Sequence, residues 1–176
     1  MRTRNNAYRW RKGKVRNMAT RIIRVIGDPV LNKTSKTVTD FGKKTTELVE
    51  DMLDTMYEAQ GVGLAAPQVG ILKRIVVIDV SEEGDEPIVL INPEIIETSG
   101  EQRGAEGCLS VPGKAGEVVR PNVVKVRAQD LEGNWFEIEG EELLARAFCH
   151  EIDHLNGVLY TEHVIGELVD TSQQNE

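Results

Sequence analysis

Residues 141–157 read EELLARAFCHEIDHLNG, and this stretch decides the fold. Its apolar residues recur at helical spacing as far as Leu155, and the Asn156 and Gly157 that follow are typical of a helix end. We therefore predict a helix over 141–155, with an apolar face that the rest of the chain has to cover.

The same helix carries the motif H-E-x-x-H at 150–154. His150 and His154 leave one face of the helix a single turn apart, so their imidazoles are close enough to share a metal ion. Glu151 lies beside them and can handle a proton. A catalytic metal of this kind needs a third protein ligand and an open position, so that ligand has to come from elsewhere.

The third ligand has one strong candidate upstream. One peptidase class extends the motif to H-E-x-x-H-x-x-G-x-x-H, but Tyr160 stands here where that class has its last histidine. Cys108 lies in the segment EGCLSVP at 106–112, whose glycine and proline favour a fixed loop or a strand end. A thiolate with two imidazoles is a recognised catalytic set, although a single cysteine is more often a small buried apolar residue.

A glycine-rich segment, GVGLAAPQVG at 61–70, contains the spacing of a dinucleotide-binding loop. That loop requires a preceding strand and a following helix, whereas this segment follows a predicted helix and contains Pro67, so we reject the nucleotide interpretation. Its closely spaced glycines allow backbone to approach a ligand, and Gln68 offers a neutral amide donor.

The remaining pattern predicts an α+β fold. An amphipathic helix is expected over 40–60, with Asp40 as its cap and Gly61 as its stop. Strands are expected at 74–80, 88–91, 94–98, 118–126 and 135–138, the first two as a hairpin. Strands between two helices, without regular alternation, favour mixed or antiparallel strands around the helix that carries the motif.

The composition excludes several classes of protein. At 176 residues with 40% apolar residues, the chain is long enough for one domain with a core and too short for two. It has no apolar run of the roughly 18 residues that a membrane span needs, and no start typical of a signal peptide. Its two cysteines cannot form a disulfide scaffold, so we expect a reducing compartment, the cytoplasm.

Charge is unevenly distributed along the chain. The net charge is −8, yet residues 1–17 hold seven basic side chains and no acidic one, which leaves −15 on the remainder. Because an acidic surface repels phosphates, we expect no stable nucleic-acid binding by this remainder. We interpret 1–17 as a disordered basic extension, 18–165 as the catalytic domain and 166–176 as a polar C-terminal tail.

Three interpretations of the basic extension stay open: an upstream extension or disordered tail, an arm that touches ribosomal or other RNA, and an organellar transit peptide. The last is the weakest because the extension lacks serine, and it alone would place the protein in an organelle. Met18 opens a more ordinary segment, and we expect it to be the functional start.

Taken in order, the segments GVGLAAPQVG, EGCLSVP and HEIDHLNG resemble peptide deformylase. The resemblance covers about 22–160, and three ordered motifs are far more specific than any one of them. It implies a metal-dependent hydrolase that removes the formyl group from the N-terminal formylmethionine of newly synthesised proteins and releases formate. We accordingly expect a monomer whose partners are nascent formyl-Met polypeptides, with transient ribosome contact and no membrane.

The resemblance implies that Cys108, His150 and His154 hold one divalent metal ion, with water in the fourth position. It implies Fe²⁺ as the native metal, with Zn²⁺, Ni²⁺ or Co²⁺ as substitutes. Cysteine and histidine suit several of these metals, so the ligands alone do not select among them.

The resemblance also assigns the chemistry. Glu151 accepts the proton of the attacking water and passes it to the departing amine. The Gln68 side chain and the Leu109 backbone N–H stabilise the oxyanion of the tetrahedral intermediate.

A methionine side chain needs an apolar pocket. Leu143 and Ala147 lie on the same helix face as the first histidine, and the resemblance implies Val62 and Gly63 as the opposite wall. Arg146 is the one charged residue on that stripe, and the sequence leaves open whether it meets substrate or solvent.

Other polar residues have weaker expectations. Glu106 and Asp153 are candidates to orient the ligands or the helix. Cys149 stands where the family usually has glutamine, and it points about 100° away from its neighbour on the helix, so we expect it to pack rather than ligate. The segment 155–176 contains no Lys or Arg, which makes it a poor candidate for ribosome contact, and His163 is expected to be a surface or structural residue.

Two rival functions stay open. A small zinc endopeptidase shares the helix motif but would need a ligand downstream of it. A binding module with a structural metal clip would need four protein ligands, and no fourth is evident.

Overall fold

The structure is a computed structural model that describes residues 19–171. In chain order its helices and strands are α1 Lys43–Glu58, β1 Gly63–Ala65, β2 Ile75–Ile78, β3 Ile88–Ser99, β4 Gln102–Cys108, β5 Val111–Arg120, β6 Val123–Gln129, β7 Trp135–Glu141, α2 Leu143–Leu155 and β8 Ile165–Asp170. Short 3₁₀ turns lie at Pro29–Asn32, Ala66–Val69 and Tyr160–Glu162. The predicted α+β class is confirmed.

The strands form two antiparallel sheets, one with the order β1-β2-β3-β6-β7 and one with the order β4-β5-β8. Helix α2 packs on the first sheet and also contacts β5 of the second. Its side chains Phe148, Ile152 and Leu155 belong to the core. Because sheets approach it from two directions, α2 is buried on most of its surface, which is why its polar residues are buried too.

Strand β2 is apolar at every position, and the packing on its two faces explains why. Val76 and Ile78 face the core cluster that contains α2, while Ile75 and Val77 face the cluster that contains α1. Successive side chains of a strand point to opposite faces, so a strand covered on both faces has to be apolar throughout. The predicted hairpin of β2 with β3 is confirmed by their antiparallel register.

Helix α1 begins at Lys43, three residues after the predicted cap. The Asp40 carboxylate instead accepts a hydrogen bond from the Gly42 N–H at 2.8 Å, and its backbone carbonyl accepts one from the Thr45 hydroxyl at 2.6 Å. Asp40 therefore supports the turn that leads into the helix rather than capping it directly.

Two strand boundaries differ from the predictions. The predicted strand 118–126 is divided between β5 and β6, because Pro121 has no N–H for a sheet ladder and the chain turns there. The segments predicted at 88–91 and 94–98 instead form one strand, β3, with a register shift at Asn92, whose φ is 51°. The Asn92 amide bonds both the N–H and the carbonyl of Val38, which stabilises this shift.

The chain ends were assigned to an extension and a tail. Residues 165–170 form β8, an exposed strand that pairs with β5, so the first part of 166–176 belongs to a sheet. The extension at 1–17 and residues 172–176 lie outside the described residues. None of the helices within 19–171 is long and apolar enough to span a membrane.

Candidate active site

Helix α2 and the end of β4 bring the three predicted ligands together. His150 and His154 lie one turn apart on α2 with ring centroids separated by 5.0 Å, and Cys108 is the last residue of β4. One potential ligand atom from each residue lies within 4.8 Å of the other two. Cys108 Sγ is 3.4 Å from His154 Nε2.

The chemistry of this cluster fits a divalent metal ion. Burial, followed by the charge of His150, lowers the pKa of His154 to about 3, so this imidazole is neutral, as a ligand has to be. Nδ1 of His150 lies 2.6 Å from a Glu106 oxygen, which leaves Nε2 for a metal. Over the residues that the structure describes, the cluster comprises three donors, as in catalytic sites with one open position.

Glu106 is the centre of a buried network of charges behind the cluster. Its carboxylate accepts hydrogen bonds from Arg120 at 2.8 and 3.1 Å and from Arg146 at 2.7 Å, in addition to its contact with His150. Burial alone would raise the pKa of Glu106, but its hydrogen bonds to His150 and Arg120 outweigh burial and hold the pKa well below its usual range. Glu106 is therefore a permanent anion that fixes the His150 ring.

The network contains two arginines whose partners could not be predicted from the sequence. Arg120, which the sequence analysis did not single out, bridges Glu106 and Asp153, with 2.8 Å between its Nη1 and the Asp153 carboxylate. Arg146 donates to Glu106 and to the Val118 carbonyl rather than facing solvent. Once Glu106 is known to be buried, cations are needed beside it, but the sequence alone shows neither its burial nor which cations those are.

Two residues that were expected not to ligate lie outside the cluster. Cys149 is buried in the core cluster of α2, where burial raises the pKa of its thiol to about 11. His163 is partly exposed, and its Nε2 lies 3.3 Å from the Asp153 carboxylate. Both therefore contribute to packing and surface contacts.

Glu151 is buried beside the cluster. Its Oε2 lies 4.0 Å from His150 Nε2, and its Oε1 has no hydrogen-bond partner among residues 19–171. Burial raises the pKa of Glu151 to about 7. A carboxyl group that titrates near neutrality can both accept and return a proton.

Gln68 and Leu109 both lie next to Cys108. The Gln68 Nε2 is 3.5 Å from Cys108 Sγ, and Leu109 follows Cys108 directly in the tight turn between β4 and β5. Both residues line the same cleft as the ligand cluster. A side-chain N–H and a backbone N–H can therefore converge on a group bound next to Cys108.

The cleft has a volume of about 440 Å³, and all four residues predicted for the methionine pocket line it. Val62 and Leu143 are 46% and 51% exposed, so they form its open rim, while Ala147 is buried deeper. Gly63 adds a stretch of backbone on the β1 side. This apolar cleft leads directly to the ligand cluster.

Gly63 also leaves room for the Glu151 carboxyl group, which gives a test of the predicted base. A Cβ at this position would lie 2.5 Å from Glu151 Oε2 and 2.9 Å from its Cδ, closer than real contacts allow. We expect Gly63→Ala to lower kcat by about a hundredfold, because the carboxyl group has to shift. Formate release would be measured beside Gly42→Ala, whose new Cβ meets only the side chain of Asp40. Equal activity of the two variants would contradict this expectation.

Comparisons with known proteins agree with this geometry. Residues 20–168 match the profile of the polypeptide deformylase family. A peptide deformylase of Lachnoclostridium phytofermentans is 65% identical over 159 residues, which are 90% of this chain and 98% of the relative. One from Agathobacter rectalis is also 65% identical, over 158 residues with the same coverage.

Solved structures show the same likeness. The chain superposes on a peptide deformylase from Synechococcus elongatus, solved in complex with actinonin, with a TM-score of 0.82 and 41% identity over 90% of this chain and 86% of that one. For a peptide deformylase from Thermotoga maritima the TM-score is 0.80 at 45% identity, over 84% and 99% of the two chains. This chain belongs to the polypeptide deformylase family, metal-dependent hydrolases that remove the formyl group from the N-terminal formylmethionine of new proteins.

Proposed function

We propose that this chain deformylates formyl-methionyl polypeptides at the cleft next to Cys108, with the metal held by Cys108, His150 and His154. One observation carries the proposal: a three-donor cluster and a buried carboxyl group lie beside Gln68 and Leu109 in one apolar cleft. Each of these parts is required for hydrolysis of an amide by an activated water.

A divalent metal at this position would supply positive charge that polarises the formyl carbonyl and makes a nearby water more acidic. Glu151 takes the proton of the attacking water and returns it to the departing amine as formate leaves. Its pKa of about 7 suits both transfers near neutral pH. The Gln68 amide and the Leu109 N–H donate to the oxygen that becomes negative.

The methionine side chain lies in the cleft lined by Val62, Gly63, Leu143 and Ala147. An apolar side chain is favoured there because the rim and floor are apolar, while the open rim leaves the following residues of the peptide free. This arrangement suits a substrate whose length beyond the first residues does not matter, as in a nascent chain.

Fe²⁺ is our proposal for the native metal, with Zn²⁺, Ni²⁺ or Co²⁺ as substitutes. We also propose that the enzyme acts as a monomer. The relatives are bacterial and the substrate is a new chain, so we place the activity in the bacterial cytoplasm, with transient contact to the ribosome. Anaerobic purification with metal analysis would identify the metal.

The rival functions make different predictions. An endopeptidase would cleave internal bonds of unformylated peptides, but Tyr160, at the position where that motif needs histidine, is buried and stacks on His150 at a centroid distance of 5.9 Å. A structural clip would bring a fourth protein ligand to the metal.

The test is formate release from a short formyl-Met peptide by the metal-loaded protein. We expect turnover that stops after chelation and returns when the metal is restored, with no cleavage of internal bonds in the unformylated peptide. Internal cleavage without formate would favour the endopeptidase, and metal retention without either product would favour the clip.

A further inference from the structure

Ser110 is fully buried and lies two residues after Cys108, in the turn between β4 and β5. Its hydroxyl oxygen accepts a hydrogen bond from Gln68 Nε2 at 3.0 Å. This contact joins the turn that carries Cys108 and Leu109 to the 3₁₀ turn Ala66–Val69. It therefore sets the spacing between the elements that carry the two N–H donors of the site.

The orientation of the Gln68 amide is fixed from both ends. Its Oε1 accepts a hydrogen bond from the Ala65 N–H at 2.9 Å, so the NH₂ group has to face the cleft side. One hydrogen of that group is directed to Ser110. The other is on the side of Cys108 Sγ, 3.5 Å from Nε2, where the reacting carbonyl would bind.

The same two residues are held by the short segment before the first 3₁₀ turn. The Arg24 N–H donates to the Gln68 carbonyl at 2.7 Å, and the Ile26 N–H donates to the Ser110 carbonyl, also at 2.7 Å. Both backbones are therefore anchored to the same short segment. With the backbones fixed, the Ala65 N–H and the Ser110 hydroxyl together set where the Gln68 amide points.

We infer that Ser110 is a positioning residue for deformylation: it occupies one N–H of Gln68 and so aims the other at the oxyanion. This inference rests on the proposed function. Removing the hydroxyl leaves the Gln68 amide held only through its Oε1 on the Ala65 N–H, so the NH₂ group can tilt about the broad terminal torsion. An oxyanion contact acts in the transition state, so its misalignment lowers kcat and leaves KM nearly unchanged.

The experiment is a double-mutant cycle on the metal-loaded enzyme with a formyl-Met peptide. We expect Ser110→Ala to lower kcat by about tenfold with KM within about twofold of wild type, less than the roughly 10²-fold loss for a missing oxyanion donor. Because Ser110 acts through Gln68, Gln68→Ala/Ser110→Ala should match Gln68→Ala alone. Equal losses in both backgrounds, or normal kcat in Ser110→Ala, would overturn the inference.

A matched control is Ser35→Ala, since Ser35 is also buried but its hydroxyl has no hydrogen-bond partner among the described residues. It should keep wild-type kcat, and a loss equal to that of Ser110→Ala would show that any buried serine deletion lowers activity. If wild-type protein releases no formate, the proposed function fails and the inference with it. If wild-type protein releases formate, the double-mutant cycle tests only the positioning role of Ser110.

A readout independent of activity is the Gln68 side-chain NH₂ signal in ¹⁵N-labelled, metal-free protein. In wild type its two protons should differ in shift and exchange slowly, because one is bonded to a buried hydroxyl. In Ser110→Ala we expect the two signals to move toward those of a free amide and to exchange faster. Unchanged signals would overturn the inference even if kcat fell.

Discussion

Glu151→Gln is expected to lower formate release by about 10²- to 10⁴-fold while the protein keeps its metal. The substitution preserves shape but removes the group that accepts and returns the proton, and such transfer contributes about that factor. Metal content should be unchanged because the three donors are other residues. Formate assays and metal analysis on the same preparation would check both statements.

Stability gives a second readout for Glu151→Gln. Burial raises the pKa of Glu151 to about 7, so the ionised form is disfavoured by the fold and a neutral amide costs no buried charge. The variant should therefore be at least as resistant to denaturant as wild type. Glu162→Gln, an exposed change on the turn after α2, serves as the control and should keep full activity. Near-normal turnover in Glu151→Gln would mean that another group is the base.

Glu106→Ala is expected to lower the free energy of unfolding by about 3–5 kcal/mol. It leaves Arg120 and Arg146 buried without their common anion, and the loss of one partner from a buried ion pair costs about that much. Denaturant titration of metal-free protein would measure the change. Glu117→Ala is a matched control on β5, because Glu117 also bonds an arginine twice but on the surface, where the effect should be small.

Low pH should destabilise the protein through the same buried network of Glu106 and its arginines. The pKa of Glu106 is lowered in the folded protein relative to its model-peptide value of 4.5, so its contribution is complete above pH 4.5 and is lost as pH falls toward the folded pKa. Wild-type apoprotein should lose stability steeply in this range, and Glu106→Ala less so. Parallel pH curves for the two proteins would contradict a central role of this carboxylate.

Local patterns predicted much of this molecule. Helix α2 was predicted from the helical spacing of the apolar residues in 141–155 and from Asn156 as its end, because such signals lie within a few residues of each other. That His150 and His154 lie on one face, a single turn apart, follows from that helix alone. Cys108 could be placed at a strand end but not beside the histidines, because the approach of β4 to α2 depends on the whole fold. The catalytic and ligand roles of these residues stay predictions that the variants above test.

The parts that the sequence did not predict are contacts between distant segments. Arg120 is far from Asp153 along the chain, and it reaches Asp153 only because β5 packs against α2. Arg146 lay on a correctly predicted helix face, yet its partner Glu106 comes from β4. Ser110 lies in the segment EGCLSVP, and its proposed positioning role depends on a contact with Gln68, which comes from another turn.

The order in which these parts leave the ribosome has a consequence for the enzyme's own maturation. Two of the three proposed ligands are on α2, which packs on the first sheet and also contacts β5 of the second. Until residues 143–155 are synthesised, the face of the first sheet opposite α1 has no helix to pack on, and the thiol of Cys108 has no imidazole beside it to share a metal. We therefore expect metal uptake to be a late event, after nearly all of the described chain has emerged, and shorter nascent chains to bind none.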